Sequence, residues 1–178
     1  MLKSLLQGKW LGHPLHPALI HLPVGLFPAA LLFDLLSRAG GDGRNAFVQT
    51  SFYGIALALI ASLLAAPAGL ADWLDIKPDK PAYRIGLWHM SLNLLMVAVW
   101  VVNLGLRWPG FRSAPRVAMA PLVLSAVGTA LLIVSGYLCS RMVFDQGVGV
   151  ARMSKGKWRK LAVAGRSNVA AESGGGSQ

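Results

Sequence analysis

The sequence predicts an all-α, integral membrane protein built as a four-helix up-down-up-down bundle. Hydrophobic residues make up 54% of the 178 residues and charged residues only 13%, whereas about a quarter of a soluble domain is charged. Four long runs contain no Asp, Glu, Lys or Arg, and short connections separate them; the runs are 17–33, 45–71, 85–106 and 117–140. Since a helix needs about 20 apolar residues to cross the hydrocarbon and satisfies its own backbone groups, each run is predicted to be a spanning helix.

The predicted helices cover about 17–37, 47–71, 85–107 and 117–141. The first is extended through Asp34 to Ser37, because its charge-free run alone is short for a span. Short connections force neighbouring helices to be antiparallel, which places both termini on one side of the membrane. We therefore predict one transmembrane domain over residues 1–150. Residues 151–178 are basic at first and end in Gly and Ser, which predicts a mostly disordered tail at the lipid surface.

The basic charge points to lipid and not to nucleic acid. The net charge is +10, and most of it lies at the ends and connections of an apolar chain, where anionic headgroups are the expected partner. The face with the termini carries 12 Lys and Arg residues against 5 on the other face. By the positive-inside rule, we expect a multi-pass membrane protein with both termini in the cytoplasm.

Other features of the helices are consistent with packing. The single cysteine, Cys139, excludes an internal disulfide and a Cys-x-x-Cys pair. Asp34 and Arg38 are an i,i+4 pair that we interpret as structural. The second predicted helix has a stripe of small residues, which lets membrane helices approach closely: Gly54, Ala58, Ala61, Ala65, Ala68 and Gly69.

The four histidines are predicted to lie at the end of the bundle that carries the termini. His13 and His16 precede the first helix, and His21 lies about one turn inside it. His89 lies about one turn inside the third helix, with Asn93 one turn further on the same face. Ionisable residues inside a membrane are costly and suggest a function by default.

Three chemistries suit this histidine layer, and the sequence leaves them open. His21 and His89 have matched predicted depth and are candidates for the axial ligands of a b-type haem, with Asn93 beside them. Alternatively, copper or zinc is held by His13, His16, His21 and Asp72, with His89 as a further candidate ligand. A third alternative is a proton relay through Asp72, His89 and Asp145. A purely structural role, in which the imidazoles form hydrogen bonds near the headgroups, is the alternative to all three.

Several motifs in a fixed order resemble a known bacterial membrane family, domain of unknown function 2231. They are His13-Pro14-Leu15-His16-Pro17, His21-Leu22-Pro23, Gly69-Leu70-Ala71-Asp72-Trp73, His89 with Asn93, and Gly147-Val148-Gly149-Val150. The resemblance runs from about Leu11 to Val150. It implies a four-helix domain in the bacterial inner membrane that is associated with electron transfer, since relatives resemble parts of chains that carry Rieske-type or quinoprotein dehydrogenase modules. The segment Phe144-Asp145-Gln146 departs from the family pattern, which has an aromatic residue before the final glycine-valine repeat.

From these observations the sequence predicts a membrane electron-transfer subunit that holds a haem between His21 and His89. Its expected partners are the lipid bilayer and a quinone or a redox partner protein. The alternatives are a non-catalytic copper- or zinc-binding subunit and a structural subunit without a cofactor.

Overall fold

The structure is a computed structural model, which describes residues 1–40, 43–149 and Val163. Residues 1–148 form one compact unit. The predicted tail, 151–178, lies outside the described residues except for Val163. The described part is helical and contains a short α1 (Leu2–Leu6) and four long helices: α2 (Leu15–Ala39), α3 (Arg44–Trp73), α4 (Pro81–Arg107) and α5 (Met119–Phe144). The all-α class with four membrane-length helices is therefore confirmed.

Each long helix has the length and composition of a membrane span. Their most apolar windows have mean hydropathies of 1.9, 2.1, 1.8 and 2.1 in chain order. Pro81 occupies the first turn of α4, where a proline has no hydrogen bond to lose. Pro23 and Pro28 lie inside α2 and Pro67 inside α3, which neighbouring helices tolerate in a membrane.

Contacts between the long helices follow an antiparallel pattern. The start of α3 contacts the end of α2 through Ser51 and Asp34, and the end of α3 contacts the start of α2 through Ala65 and His16. The helices α4 and α5 are paired in the same antiparallel way, and α2 also packs on α5. These contacts are compatible with the predicted up-down-up-down topology. Large aliphatic side chains such as Leu63, Leu94 and Ile133 are exposed on the outside, where they contact lipid.

Two stacked rings fill the middle of the bundle. Trp100 of α4 is fully buried and stacks on Phe27 of α2, with ring centroids 4.4 Å apart and planes 11° from parallel. Gly128 of α5 lies directly against this indole: a Cβ there would lie 2.5 Å from Trp100 Nε1. The small-residue stripe of α3 also faces the interior, as the sequence predicts, since its four alanines are buried and its two glycines half-buried: Ala58, Ala61, Ala65, Ala68, Gly54 and Gly69.

The segment before α2 folds back onto the end of α3. Lys3 Nζ donates to Asp75 Oδ1 at 2.6 Å, and Gln7 Nε2 donates to the Ala71 carbonyl at 3.1 Å. The turn at Gly8 requires glycine, because φ is +70° and a Cβ would lie 2.2 Å from the His13 carbonyl oxygen. The N-terminal segment is thus attached to the same end of the bundle as the histidines.

We expect Asp75→Asn to loosen this attachment. Asp75 lies beyond the end of α3, and the hydrogen bond from Lys3, followed by the one from Gln7, holds the pKa of its carboxyl below the ordinary value of 3.8. A lowered pKa means that the contact stabilises the fold at neutral pH and that this stability is lost as the pH falls through the lowered value. Trypsin cleavage after Lys3 and Lys9 should be faster in Asp75→Asn than in wild type at pH 8. Asp79→Asn is the control, since the carboxylate of Asp79 pairs with the adjacent Lys80 and not with the N-terminal segment. Equal rates in the two variants would contradict the prediction.

Candidate functional site

A buried ion pair joins the helices at the end of the bundle opposite the termini. Arg107 of α4 donates through Nη2 to Asp34 Oδ2 of α2 at 2.5 Å and through Nη1 to Oδ1 at 2.6 Å. Asp34 is fully buried and Arg107 is 5% exposed. Ser51 of α3 and Ser125 of α5 each donate to one carboxylate oxygen at 2.6 Å. All four long helices therefore contribute a side chain to one polar cluster.

This cluster leaves the guanidinium no free hydrogen. Arg107 Nε donates to Asn103 Oδ1, and its two terminal nitrogens also donate to Ser51 and Ser125 at 3.0 Å. A guanidinium has five donors and a carboxylate has about four acceptor positions, so both ions are satisfied. A buried ion pair is tolerated when such hydrogen bonds compensate its desolvation. Because every donor of the guanidinium and every acceptor position of the carboxylate is used within the network, we interpret the cluster as a structural contact between the four helices and not as a ligand site.

The predicted pairing of Asp34 with Arg38 is wrong. Arg38 instead donates to the Val117 carbonyl at 2.7 Å, because its side chain extends toward the connection before α5 while Asp34 faces the interior. Counted by charge, Arg107 is one of the five basic residues of the face opposite the termini, and its pairing with Asp34 is not predicted from the sequence. One signal was present in the sequence: four polar residues lie near the same predicted end of the bundle, and two of them have opposite charge. They are Asp34, Ser51, Arg107 and Ser125.

At the other end of the bundle, the structure holds two imidazoles in fixed orientations. His89 Nδ1 lies 3.0 Å from the carbonyl oxygen of Ser135 on α5 and 3.0 Å from its hydroxyl. Its Nε2 lies 3.1 Å from the side-chain amide nitrogen of Asn93. A carbonyl oxygen only accepts, so the proton is assigned to Nδ1, and in the neutral ring Nε2 carries a lone pair. His89 and Asn93 are therefore in contact, as predicted from their spacing.

His16 has the same arrangement on α2. Its Nδ1 lies 3.0 Å from the Ala65 carbonyl oxygen of α3, so the proton is again assigned to Nδ1 and the lone pair to Nε2. The ring packs directly against Gly69, where a Cβ would lie 2.8 Å from both Cε1 and Nδ1. His16 also interacts electrostatically with Asp72 and with His89. These three residues form the histidine end of the bundle.

The remaining predicted site residues lie elsewhere. His13 and His21 are exposed, and the hydrogen bond of His21 runs within its own helix, from Nδ1 to the Ala18 carbonyl at 3.3 Å. Asp145 is exposed and forms an ion pair with Arg141 at 3.2 Å. Across residues 1–40 and 43–149, no three His, Cys, Asp or Glu side chains lie close enough together to hold a metal ion.

Two clefts open at the surface of the bundle. One, of about 320 Å³, lies beside the N-terminal segment and is lined by residues from Gln7 to Pro14, including His13. The other, of about 390 Å³, lies at the opposite end between Tyr53, Trp108 and Arg112. Neither of these two clefts is lined by His16, His21 or His89.

Comparison with known proteins gives one match. The model of a family described as "Predicted membrane protein (DUF2231)" matches residues 12–152. No curated protein and no solved structure matches the chain. The matched range contains the four long helices, the Asp34–Arg107 network and all four histidines.

Proposed function

The chain belongs to the DUF2231 family of predicted membrane proteins, and on this premise we propose that it is an electron-transfer subunit that binds a b-type haem at the histidine end of the bundle. The haem would supply reversible one-electron reduction of its iron. The protein would supply two imidazoles, one from α2 and one from α4, and a low-dielectric surrounding of apolar side chains.

The orientation of His89 is the observation that carries this proposal. Histidines that ligate a metal commonly donate their other ring N–H to a backbone carbonyl, which fixes both the tautomer and the direction of the ligating nitrogen. His89 has this arrangement: Nδ1 donates to Ser135 and Nε2 has the lone pair. The side-chain amide of Asn93 donates a hydrogen bond to this Nε2. It must therefore rotate away before Nε2 can ligate the iron. Asn93 would then be available to contact the bound group.

Location and partners follow from charge and from the resemblance to electron-transfer modules. We propose that the protein lies in the bacterial inner membrane with both termini in the cytoplasm. Of the five arginines at the opposite end, Arg107 is buried inside the bundle, which leaves four at the surface of that face for the positive-inside count. A quinone or a redox partner protein would exchange electrons with the haem.

An absorption spectrum tests the proposal. The full chain, expressed in bacterial membranes with added haem precursor and purified in mild detergent, is expected to show a Soret band that shifts when dithionite is added. His89→Ala should lose most of this band. His13→Ala, an exposed histidine without a hydrogen bond among the described residues, should retain it. If wild-type protein shows no Soret band even after incubation with hemin, the proposal is contradicted.

A structural subunit without a cofactor is the second candidate. The observation that favours it is the filling of the interior by the protein's own rings: His16 against Gly69, Trp73 against Gly86 and Trp100 against Gly128. On this reading His89→Ala lowers the unfolding temperature and leaves optical spectra and metal content unchanged. The copper or zinc alternative would instead appear in elemental analysis of the purified protein, as metal without porphyrin.

A further inference from the structure

We infer that His16, and not His21, is the histidine of α2 that is paired with His89. This inference rests on the proposed function, because it names the second imidazole of the same site. It comes from how α2 and α4 are aligned across the centre of the bundle.

Two contacts between α2 and α4 share one sequence offset. Asp34 and Arg107 are separated by 73 positions, and so are Phe27 and Trp100, whose rings stack. A constant offset at two levels means that the two helices run in the same direction with matched rise. The same offset at the histidine end joins His16 to His89. His21 is instead aligned with Leu94, roughly 7.5 Å deeper in the bundle at 1.5 Å per residue.

The helical period also indicates that His16, and not His21, lies on the face of α2 that meets α4. His16 precedes Phe27 by 11 residues and Phe27 precedes Asp34 by 7, which are close to three and two whole turns at about 3.6 residues per turn. All three side chains therefore leave α2 on the face that meets α4. His21 precedes Phe27 by six residues, a rotation of roughly 240° at about 100° per residue, so it leaves the helix on another face. Its exposure agrees with this.

The imidazole rings of His16 and His89 also have similar hydrogen-bond partners and similar burial. Each Nδ1 lies 3.0 Å from a backbone carbonyl oxygen of a different helix, Ala65 of α3 for His16 and Ser135 of α5 for His89. Each ring is partly buried, and the two interact electrostatically. Helices α3 and α5 thus each orient one imidazole through Nδ1, which leaves the lone pair of each ring on Nε2.

The spin state of the haem iron tests whether His16 or His21 is the axial ligand from α2. Wild-type protein loaded with hemin is expected to give the low-spin spectrum of two axial histidines, and His21→Ala should keep it. His16→Gly should give a high-spin spectrum that returns to low spin when free imidazole is added. Rescue by imidazole would not occur if His16 had only a packing role. Loss of the low-spin spectrum in His21→Ala but not in His16→Gly would overturn the inference.

A second measurement does not require haem, so that failure of the proposed function can be recognised separately. Nitrogen NMR of ¹⁵N-histidine-labelled protein in detergent reports the tautomer of each ring. We expect His16 and His89 to be held with the proton on Nδ1, and the His89 signals to shift in His16→Gly but not in His21→Ala. Gly69→Ala, whose added methyl group must displace the His16 ring, should shift them too, whereas Gly54→Ala on the same helix has open space and should not. If the His89 signals respond to His21→Ala and not to His16→Gly, the pairing is wrong whether or not haem binds.

Discussion

Asp34→Leu is expected to destabilise the bundle by about 3–5 kcal/mol, the usual effect of removing one partner of a buried ion pair. The guanidinium of Arg107 would remain buried, and its two hydrogen bonds to the carboxylate would be lost. Because side chains of all four long helices meet at this point, we expect the whole bundle to be affected. The unfolding temperature in mild detergent, followed by circular dichroism, measures the loss.

The double variant Asp34→Leu/Arg107→Met provides the internal test. Replacing both ions by apolar side chains removes the uncompensated charge and is often nearly neutral, so the double variant should be more stable than Asp34→Leu alone. Arg38→Met is the matched control, since Arg38 lies one turn from Asp34 but donates to the loop carbonyl of Val117 and not to the ion pair. The structural interpretation of the ion pair would be wrong if the double variant unfolded at the same temperature as Asp34→Leu, or below it.

Gly128→Ala should cost about 1–3 kcal/mol, the range for an added methyl group in a packed core. The new Cβ would lie 2.5 Å from Nε1 and 2.6 Å from Cε2 of Trp100. That indole cannot easily move, because it is fully buried and stacked on Phe27. The unfolding temperature again measures the effect.

Gly136→Ala is the control on the same helix. A Cβ at Gly136 meets nothing within 4 Å, so this variant should match wild type or be slightly more stable, as alanine is the better helix former. Trp100→Phe should relieve the clash in Gly128→Ala, because it removes the indole atoms that the methyl group meets. Equal stability of the two alanine variants would show that α5 and α4 are not as closely packed as described.

The sequence was sufficient to place Asn93 beside His89, because both lie one turn apart on one helix and helical spacing is local. It was also sufficient to predict that the small residues of α3 face the interior. It misjudged Asp34, because Arg38 is the nearest opposite charge along the chain whereas Arg107 is the nearest in space. An i,i+4 spacing permits a pair on a helix surface, but a buried carboxylate requires the partner that can surround it with donors.

The choice between His16 and His21 likewise depends on tertiary contacts that the sequence does not give. Both precede or enter the first predicted span, and their predicted depth depends on where the helix begins. The helix begins at Leu15, so His16 already lies on its first turn. Its direction relative to α4 then follows from the stacking of Phe27 on Trp100, a contact between residues that no local pattern connects.

By itself the sequence determined that this is a membrane protein with four spanning helices, because apolar length and the cost of unpaired backbone groups in lipid are properties of each segment alone. Only the tertiary structure decided which polar side chains of α2 and α4 meet. Their relative height and rotation are set by the stacking of Phe27 on Trp100 and by the buried ion pair of Asp34 with Arg107, and both contacts join helices that are not consecutive in the chain.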